Sequence, residues 1–339
     1  MELIRARAYA RAGLIGNPSD GYHGRTLSLI VRNYWAEVVL YEWEDLEIIL
    51  SQEDRCRFGS MQELQQDVQL HGYYGGVRLV KATIRRFADY CQRNGIALHS
   101  RNFSIRYQSN IPRAVGMAGS SGIIIATLRA LMTFYGVEIP QEVQPSLALS
   151  VETGELRIAG GLQDRVVQVY EGLVYMDFAK ERTRILDGME VGQYEPIDPG
   201  LLPNLYVAFS HDAGEPTEVT HAPLRARYDE GDQKIHAAMK RFATITDEAR
   251  TALLAGDHAR FHQLVDENFD LRRSICDLSP SHVRMIETAR SVGASAKFAG
   301  SGGAIVGTFT SDSQYADLGQ KLRAIGCEVF RPQIEARPA

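Results

Sequence analysis

The sequence predicts an α+β protein built from two domains. Three observations carry that reading. The 339 residues exceed what one hydrophobic core commonly organises. Short strands mix with helices early in the chain, give way to helices, and return as a strand-strand-helix-strand ending. Residues 187–203 hold three of the twelve prolines and several glycines, a candidate linker between 1–190 and 200–339.

The elements follow in order. Leu3–Leu14, Arg25–Arg32, Trp35–Tyr41 and Leu46–Leu50 are β-prone runs. The loop from Gly16 to Gly24 is too dense in Gly, Pro, Asn and Asp for regular structure. Apolar residues recur at helical spacing over about 73–93 (Val77, Val80, Ile84, Phe87, Tyr90) and stop at Asn94-Gly95, a C-cap signal. Phe103, Ile105 and Tyr107 alternate as a strand, and Ile111-Pro112 breaks it. A glycine-rich stretch then enters an apolar helix, Ile123 to Tyr135. A second helix over about 141–155 precedes Gly160-Gly161, and Leu173–Asp177 is a strand. The region 222–291 is predominantly helical. The ending reads strand (Ala294–Phe298), glycine turn, strand (Ala304–Phe309), helix (about 312–325) and strand (Cys327–Arg331).

Composition excludes several classes. A net charge of −5 and a pI near 6.0 provide no basic field for nucleic acid or an anionic membrane surface. The charged N-terminus (Met1 to Arg7) lacks the apolar stretch of a signal peptide, and no apolar run approaches the roughly 18 residues of a membrane span. Cys56, Cys91, Cys276 and Cys327 lie far apart with no CxxC pair, so a zinc cluster or disulfide framework is not expected and the reducing cytoplasm is the default location.

Four segments could carry chemistry. Pro112 to Gly122 brings Gly116, Gly119 and Gly122 together with Ser120 and Ser121 at a helix entry. Glycines let backbone N–H groups converge on an anion, the helix start adds its dipole, and hydroxyls suit a hard cation. The same residues also suit a tight helix entry packed on a sheet. Glu152 and Asp164 bracket Gly160-Gly161 and could serve as metal ligand and general base, or as a surface glutamate and a helix-capping aspartate. Lys297-Phe298-Ala299-Gly300-Ser301-Gly302-Gly303-Ala304 reads as a strand hairpin or a lid over phosphates. Asn17, Ser19, Asp20, Tyr22 and His23, just after Arg11, offer donors and acceptors for a polyhydroxylated ligand, although solvated turn chemistry accounts for them equally. His258 and His262 lack an HExxH context, Arg85-Arg86 reads as a solvated helix face, and no Gly-x-Ser-x-Gly elbow occurs.

Together these segments resemble the GHMP kinase superfamily. The resemblance rests on Arg11-x-Gly-Leu-Ile-Gly, Pro112-x-x-x-Gly-Met followed by Ser120-Ser121, and Lys297 to Ala304, in register over nearly the whole chain. Within the superfamily, Gly13 to Tyr22, Asn110 to Gly122 and Gly161 to Arg165 look like the glucuronokinases, which phosphorylate the anomeric hydroxyl of D-glucuronate. The implied fold is the two-domain GHMP kinase fold. It joins an N-terminal domain with a left-handed β-α-β unit, of the ribosomal-protein type, to a ferredoxin-like C-terminal domain. The implied activity is ATP-dependent and uses magnesium.

By resemblance, Pro112, Gly116, Met117, Ala118, Gly119, Ser120, Ser121 and Gly122 would surround the ATP phosphates, closed over by Gly300, Ser301 and Gly302. Ser121 (or Ser120) and Glu152 would hold Mg²⁺, Asp164 would be the base, and Arg11 would face it and the transferring phosphoryl group. Asn17, Ser19, Asp20, Tyr22, His23, Asp164 and Arg165 would meet the sugar. Two departures stand out. Met117-Ala118-Gly119 precedes the serines where the superfamily has Gly-Leu-x, and Gly122 replaces Ala. Asn17-Pro18 stands where galactokinase has Glu-His; losing that glutamate would remove a charge that repels a uronate carboxylate. His23, Arg25, Arg32 and Arg165 are the candidate cations for such a carboxylate. Adenine contacts are expected between Trp35 and Gln108, where no motif is readable. The alternatives are a kinase for a heptose or galactose, or an inactive ligand sensor on the same fold. The expected partner is a small sugar or uronic acid, bound by a monomer or homodimer.

Overall fold

Strand β1 (Leu3–Ile15) alternates between exposed and covered side chains over its first half and is buried on both faces from Ala10 onward, in a computed structural model that describes residues 3–50, 75–210 and 224–335. Antiparallel to it runs β2 (Arg25–Trp43), from Leu3 opposite Tyr41 to Ile15 opposite Leu27. The runs expected at Arg25–Arg32 and Trp35–Tyr41 are thus one strand. Between Tyr9 and Ala10 the register slips, so Arg32, Asn33 and Tyr34 leave the ladder. The chain's last segment fills this bulge: Arg32 N–H donates to the Gln333 carbonyl at 2.9 Å, and Gln333 N–H to Asn33 Oδ1 at 2.8 Å.

The other edge of β2 takes β4 (Asn102–Ser109) and β5 (Leu173–Asp177) in succession. Beyond β4 lies the parallel strand β3 (Glu47–Ile49). A small hairpin, β6 (Arg184–Leu186) and β7 (Met189–Val191), precedes β8 (Gln193–Ile197), which pairs with β5. Residues 187–203 are therefore no free linker: part of them completes the first sheet, and the chain changes sheets between Ile197 and Leu205. Helices α1 (Gly76–Arg93), α2 (Gly119–Tyr135), α3 (Gln144–Ser150) and α4 (Gln163–Tyr170) cover this sheet, α2 lying on β1 and β2.

The second sheet has the order β10-β11-β9-β12, all antiparallel: β9 (Leu205–Ser210), β10 (Lys297–Phe298), β11 (Ala304–Thr308) and β12 (Cys327–Phe330). Helices α5 (Gln233–Leu254), α6 (His258–Arg273), α7 (Pro280–Arg290) and α8 (Asp312–Ala324) complete this half. The period of two along β9 sorts its side chains. Leu205, Val207 and Phe209 join a core continuous with the first sheet, whereas Tyr206 and Ala208 join a second cluster with Phe269, Ile286 and Leu322. The described part of 222–291 is helical as expected; residues 211–223 lie outside the described residues. No described helix is long and apolar enough to cross a membrane.

Lys297 is buried where the two halves meet. Its ammonium donates to the Gly13 carbonyl (2.5 Å), Asn17 Oδ1 (2.6 Å) and the Phe298 carbonyl (2.7 Å). Burial, with Arg272 and Arg11 nearby, pulls that ammonium well below the ordinary lysine range. Lys297→Met would leave three buried acceptors without a donor. Urea unfolding is expected to show a loss of about 2–4 kcal/mol, whereas a change below about 0.5 kcal/mol would mean water replaces the ammonium without cost.

Candidate active site

Arg11 lies in the doubly buried part of β1 and is 5% exposed. Its Nε donates to Asp164 Oδ1 at 2.6 Å, and its Nη1 donates to the carbonyls of Gly116 (2.6 Å) and Ala299 (3.0 Å). The neighbouring backbone repeats the connection, Arg11 N–H to Met117 O (3.2 Å) and Gly13 N–H to Ala299 O (2.7 Å). Three of the sequence segments thus converge on one guanidinium, whose planar fork can hold several acceptors at fixed angles. Asp164 sits in the first turn of α4, where the helix dipole favours a negative charge, and its side chain is 19% exposed.

The glycine-rich segment takes an unusual backbone. Ala114 (φ 57°), Gly116 (φ 72°) and Ala118 (φ 63°) are left-handed and alternate with other conformations. Alternation of this kind is the backbone pattern of an anion-binding nest, in which successive N–H groups can converge. Helix α2 begins at Gly119 with no side-chain cap on its first turn, so its leading N–H groups are open to a ligand. The 300–303 turn packs against this loop from the other half. A Cβ at Gly300 would lie 2.2 Å from the Gly116 carbonyl oxygen, and one at Gly116 would lie 2.9 Å from that of Gly302. Arg272, buried, holds the turn by donating to the Gly300 (2.7 Å) and Ser301 (3.0 Å) carbonyls. Met117, Ser121 and Gly122 point inward from the loop and line the core rather than the cleft.

The hydroxyl that meets Glu152 is that of Ser120. Ser120 Oγ donates to Glu152 Oε1 at 2.8 Å, while Ser121 is buried with its Oγ on the Ala118 carbonyl at 3.2 Å. Of the two serines left open by the sequence, Ser120 is the one beside Glu152: one residue further is about 100° around a helix, which turns Ser121 into the core. Glu152 is 2% exposed and stands in a π-helical turn (Val151–Glu155) that widens the end of α3. Its second oxygen is paired with the Arg165 guanidinium.

Of the residues expected at the sugar, Asp20 lies beside Asp164. Gln163 Nε2 donates to Asp20 Oδ1 at 3.2 Å, and a Cβ at Gly161 would sit 2.0 Å from Asp20 Oδ2. Burial and the Asp164 charge push the Asp20 carboxyl up to about 7. The structure corrects three neighbours. Asn17 is buried and accepts from Lys297, Ser19 Oγ is buried and donates to the Arg25 carbonyl (2.9 Å), and Tyr22 packs on Tyr228 with rings 4.7 Å apart. These side chains hold the loop in place. Arg25 is paired with Asp177 (2.9 Å) and Asp247 (3.1 Å), Arg32 with Glu171, and Arg165 with Glu152. Of the four cations weighed for a carboxylate, His23 is exposed, at the end of the turn that carries Asp20. Pro112 is half-buried at the loop's start. Arg272 escaped sequence reasoning because nothing distinguishes it from the neighbouring Arg273 on a helix.

Residues 78–172 match the GHMP kinases N terminal domain. In three dimensions the chain resembles Streptococcus pneumoniae phosphomevalonate kinase (TM-score 0.75, 15% identity, 99% of this chain and 100% of that one). It also resembles Lactococcus lactis galactokinase complexed with galactose (TM-score 0.74, 15% identity, 99% and 94%). The chain belongs to the GHMP kinase family. Over 309 residues it is 45% identical to glucuronokinase 1 of Arabidopsis thaliana, covering 89% of this chain and 84% of that protein, and within the family it stands with the glucuronokinases.

The raised Asp20 carboxyl has a measurable consequence. Between its ordinary value of 3.8 and about 7 the folded state holds a proton that the unfolded chain releases, so stability falls as pH rises through that window. Asp20→Asn is expected to melt above wild type at about pH 8 and to approach it near about pH 4, at the lower edge of the window. Parallel melting curves across that range would show that the carboxyl is not shifted.

Proposed function

We propose that this chain transfers the terminal phosphoryl group of ATP to the anomeric hydroxyl of D-glucuronate, giving D-glucuronate 1-phosphate. The single observation that carries the chemistry is the Arg11 guanidinium bonded at once to Asp164, to Gly116 of the 116–122 loop and to Ala299, which leads into the 300–303 turn. The 45% identity to a glucuronokinase supports the choice of sugar.

The open N–H groups of the nest and of the start of α2 bind the triphosphate, and the 300–303 turn narrows the space around it. Asp164, the more exposed member of its pair with Arg11, accepts the proton from the attacking hydroxyl. Arg11 supplies a fixed positive charge beside that aspartate and toward the transferring phosphoryl group. Asp20 accepts or donates a hydrogen bond to a second sugar hydroxyl. With its carboxyl near half-protonation at neutral pH, it repels a uronate less than an ordinary aspartate would.

Ser120 and Glu152 fit magnesium: both offer hard oxygen donors, which lie 2.8 Å apart. Magnesium bound there would neutralise phosphate charge and orient the leaving group. The division into a nucleotide- and sugar-binding part, 1–190, and a second part, 200–339, belongs to the same reading. So do a monomeric or homodimeric state and a cytoplasmic location, the last favoured by the free thiols of Cys91, Cys276 and Cys327.

An ADP-release screen over glucuronate, galacturonate, glucose, galactose and heptoses tests the substrate; glucuronate alone is expected to give full turnover, and preference for a neutral sugar would overturn the assignment. Asp164→Asn should retain nucleotide affinity while kcat falls by about 10²–10⁴-fold or more, and near-normal turnover would remove Asp164 as base. Gly116→Val should weaken nucleotide binding, because a branched side chain at φ 72° meets the Gly302 carbonyl; calorimetry with an ATP analogue would read this.

A further inference from the structure

Arg165 has no task in the reaction just described, yet it is 3% exposed at the centre of the site. Its Nη2 donates to Glu152 Oε2 and its Nη1 to the Gly161 carbonyl, and Nη1 lies 3.6 Å from Asp164 Oδ2. A Cβ at Gly160 would come within 2.9 Å of Nη2, so the Gly160-Gly161 turn leaves room for this guanidinium. Its Nε is buried and has no hydrogen-bond partner among the described residues. The guanidinium therefore rests on the same carboxylate that receives the Ser120 hydroxyl, the oxygen pair that fits magnesium.

We propose that Arg165 is the resident counterion of Glu152, that it keeps a divalent cation off that carboxylate until a nucleotide binds, and that it then turns to the phosphate oxygens. This rests on the kinase reading above. Glu152, Asp164 and Asp20 face Arg11 and Arg165, so these side chains by themselves are close to charge balance and offer a bare dication little net attraction. A dication in contact with Glu152 would also press on the guanidinium, a like charge inside a low-dielectric pocket. The triphosphate changes both terms. It gives the guanidinium bidentate acceptors and gives the metal its remaining ligands. Metal and nucleotide then bind with positive coupling, and by linkage each raises the affinity of the other. The buried Nε, without a partner among the described residues, marks a side chain whose hydrogen bonding is incomplete where it now rests.

The test is Mn²⁺ binding to the nucleotide-free full-length protein, read by electron paramagnetic resonance. Arg165→Met should bind Mn²⁺ at least about ten-fold more tightly than wild type, because Glu152 loses its internal cation. Arg165→Gln, which retains a donor toward Glu152 and so protects folding, should shift in the same direction. The double variant Glu152→Gln with Arg165→Met should lose the gain. If either folded single variant binds bare Mn²⁺ no more tightly than wild type, or if the gain survives the double substitution, the proposal is overturned. Mn²⁺ is read without sugar or turnover, so the two readings fail separately. A chain inactive on every sugar but showing this shift would sink the assigned reaction alone, and an active kinase with unchanged Mn²⁺ affinity would sink the role of Arg165 alone.

Discussion

A buried guanidinium is costly unless its donors find acceptors, and Arg11 finds them on three segments that are far apart in sequence. That requirement runs through the whole site. The Gly116 carbonyl must face inward, which sets the direction in which the loop's N–H groups point. The Ala299 carbonyl must come to the same place, which draws the second sheet's hairpin against the first half. Asp164 must stand where Nε ends. A lysine could satisfy the charge but not the fork, since its ammonium is a point at the end of a flexible stem. Lys297 shows the complementary use: a compact ammonium buried where three oxygens already converge.

The phosphate cradle is a product of both halves. Left-handed residues at Ala114, Gly116 and Ala118 carry a conformational cost, and such backbone persists where its surroundings over-determine it. Here the over-determination comes from the 300–303 turn, which approaches so closely that a methyl group at Gly300 would strike the Gly116 carbonyl. Arg272, reaching from α6, fixes that turn through two carbonyls.

Three carboxylates share the cleft, and their surroundings separate their roles. Glu152 is sealed in and paired with Arg165, Asp164 stands half-open on Arg11, and Asp20 is raised by burial and by Asp164 itself. Similar groups placed in different environments are how one pocket supplies a metal ligand, a base and a hydrogen-bonding partner.

Much of the architecture was legible because it is written in local patterns. Helical spacing announced α1, alternation announced β4, and the glycine segments announced tight backbone at 116–122 and 300–303. The long strand β2 shows as two runs in the sequence because three looped-out residues interrupt its period. The 187–203 stretch resembles a linker in sequence because Pro and Gly mark turns equally well between small strands. In the site, residue types sufficed to gather Arg11, Glu152, Asp164 and the glycine loops as candidates. They could not tell which side chains of the 17–23 loop face a ligand. Asn17 turned inward because Lys297 needed an acceptor, and Ser120 rather than Ser121 met Glu152 because of the phase of a helix. The sequence alone determined which local backbones are possible and which chemical groups are present. The tertiary structure decided which of those groups face one another, because burial leaves each polar atom to whichever partner packing brings within reach.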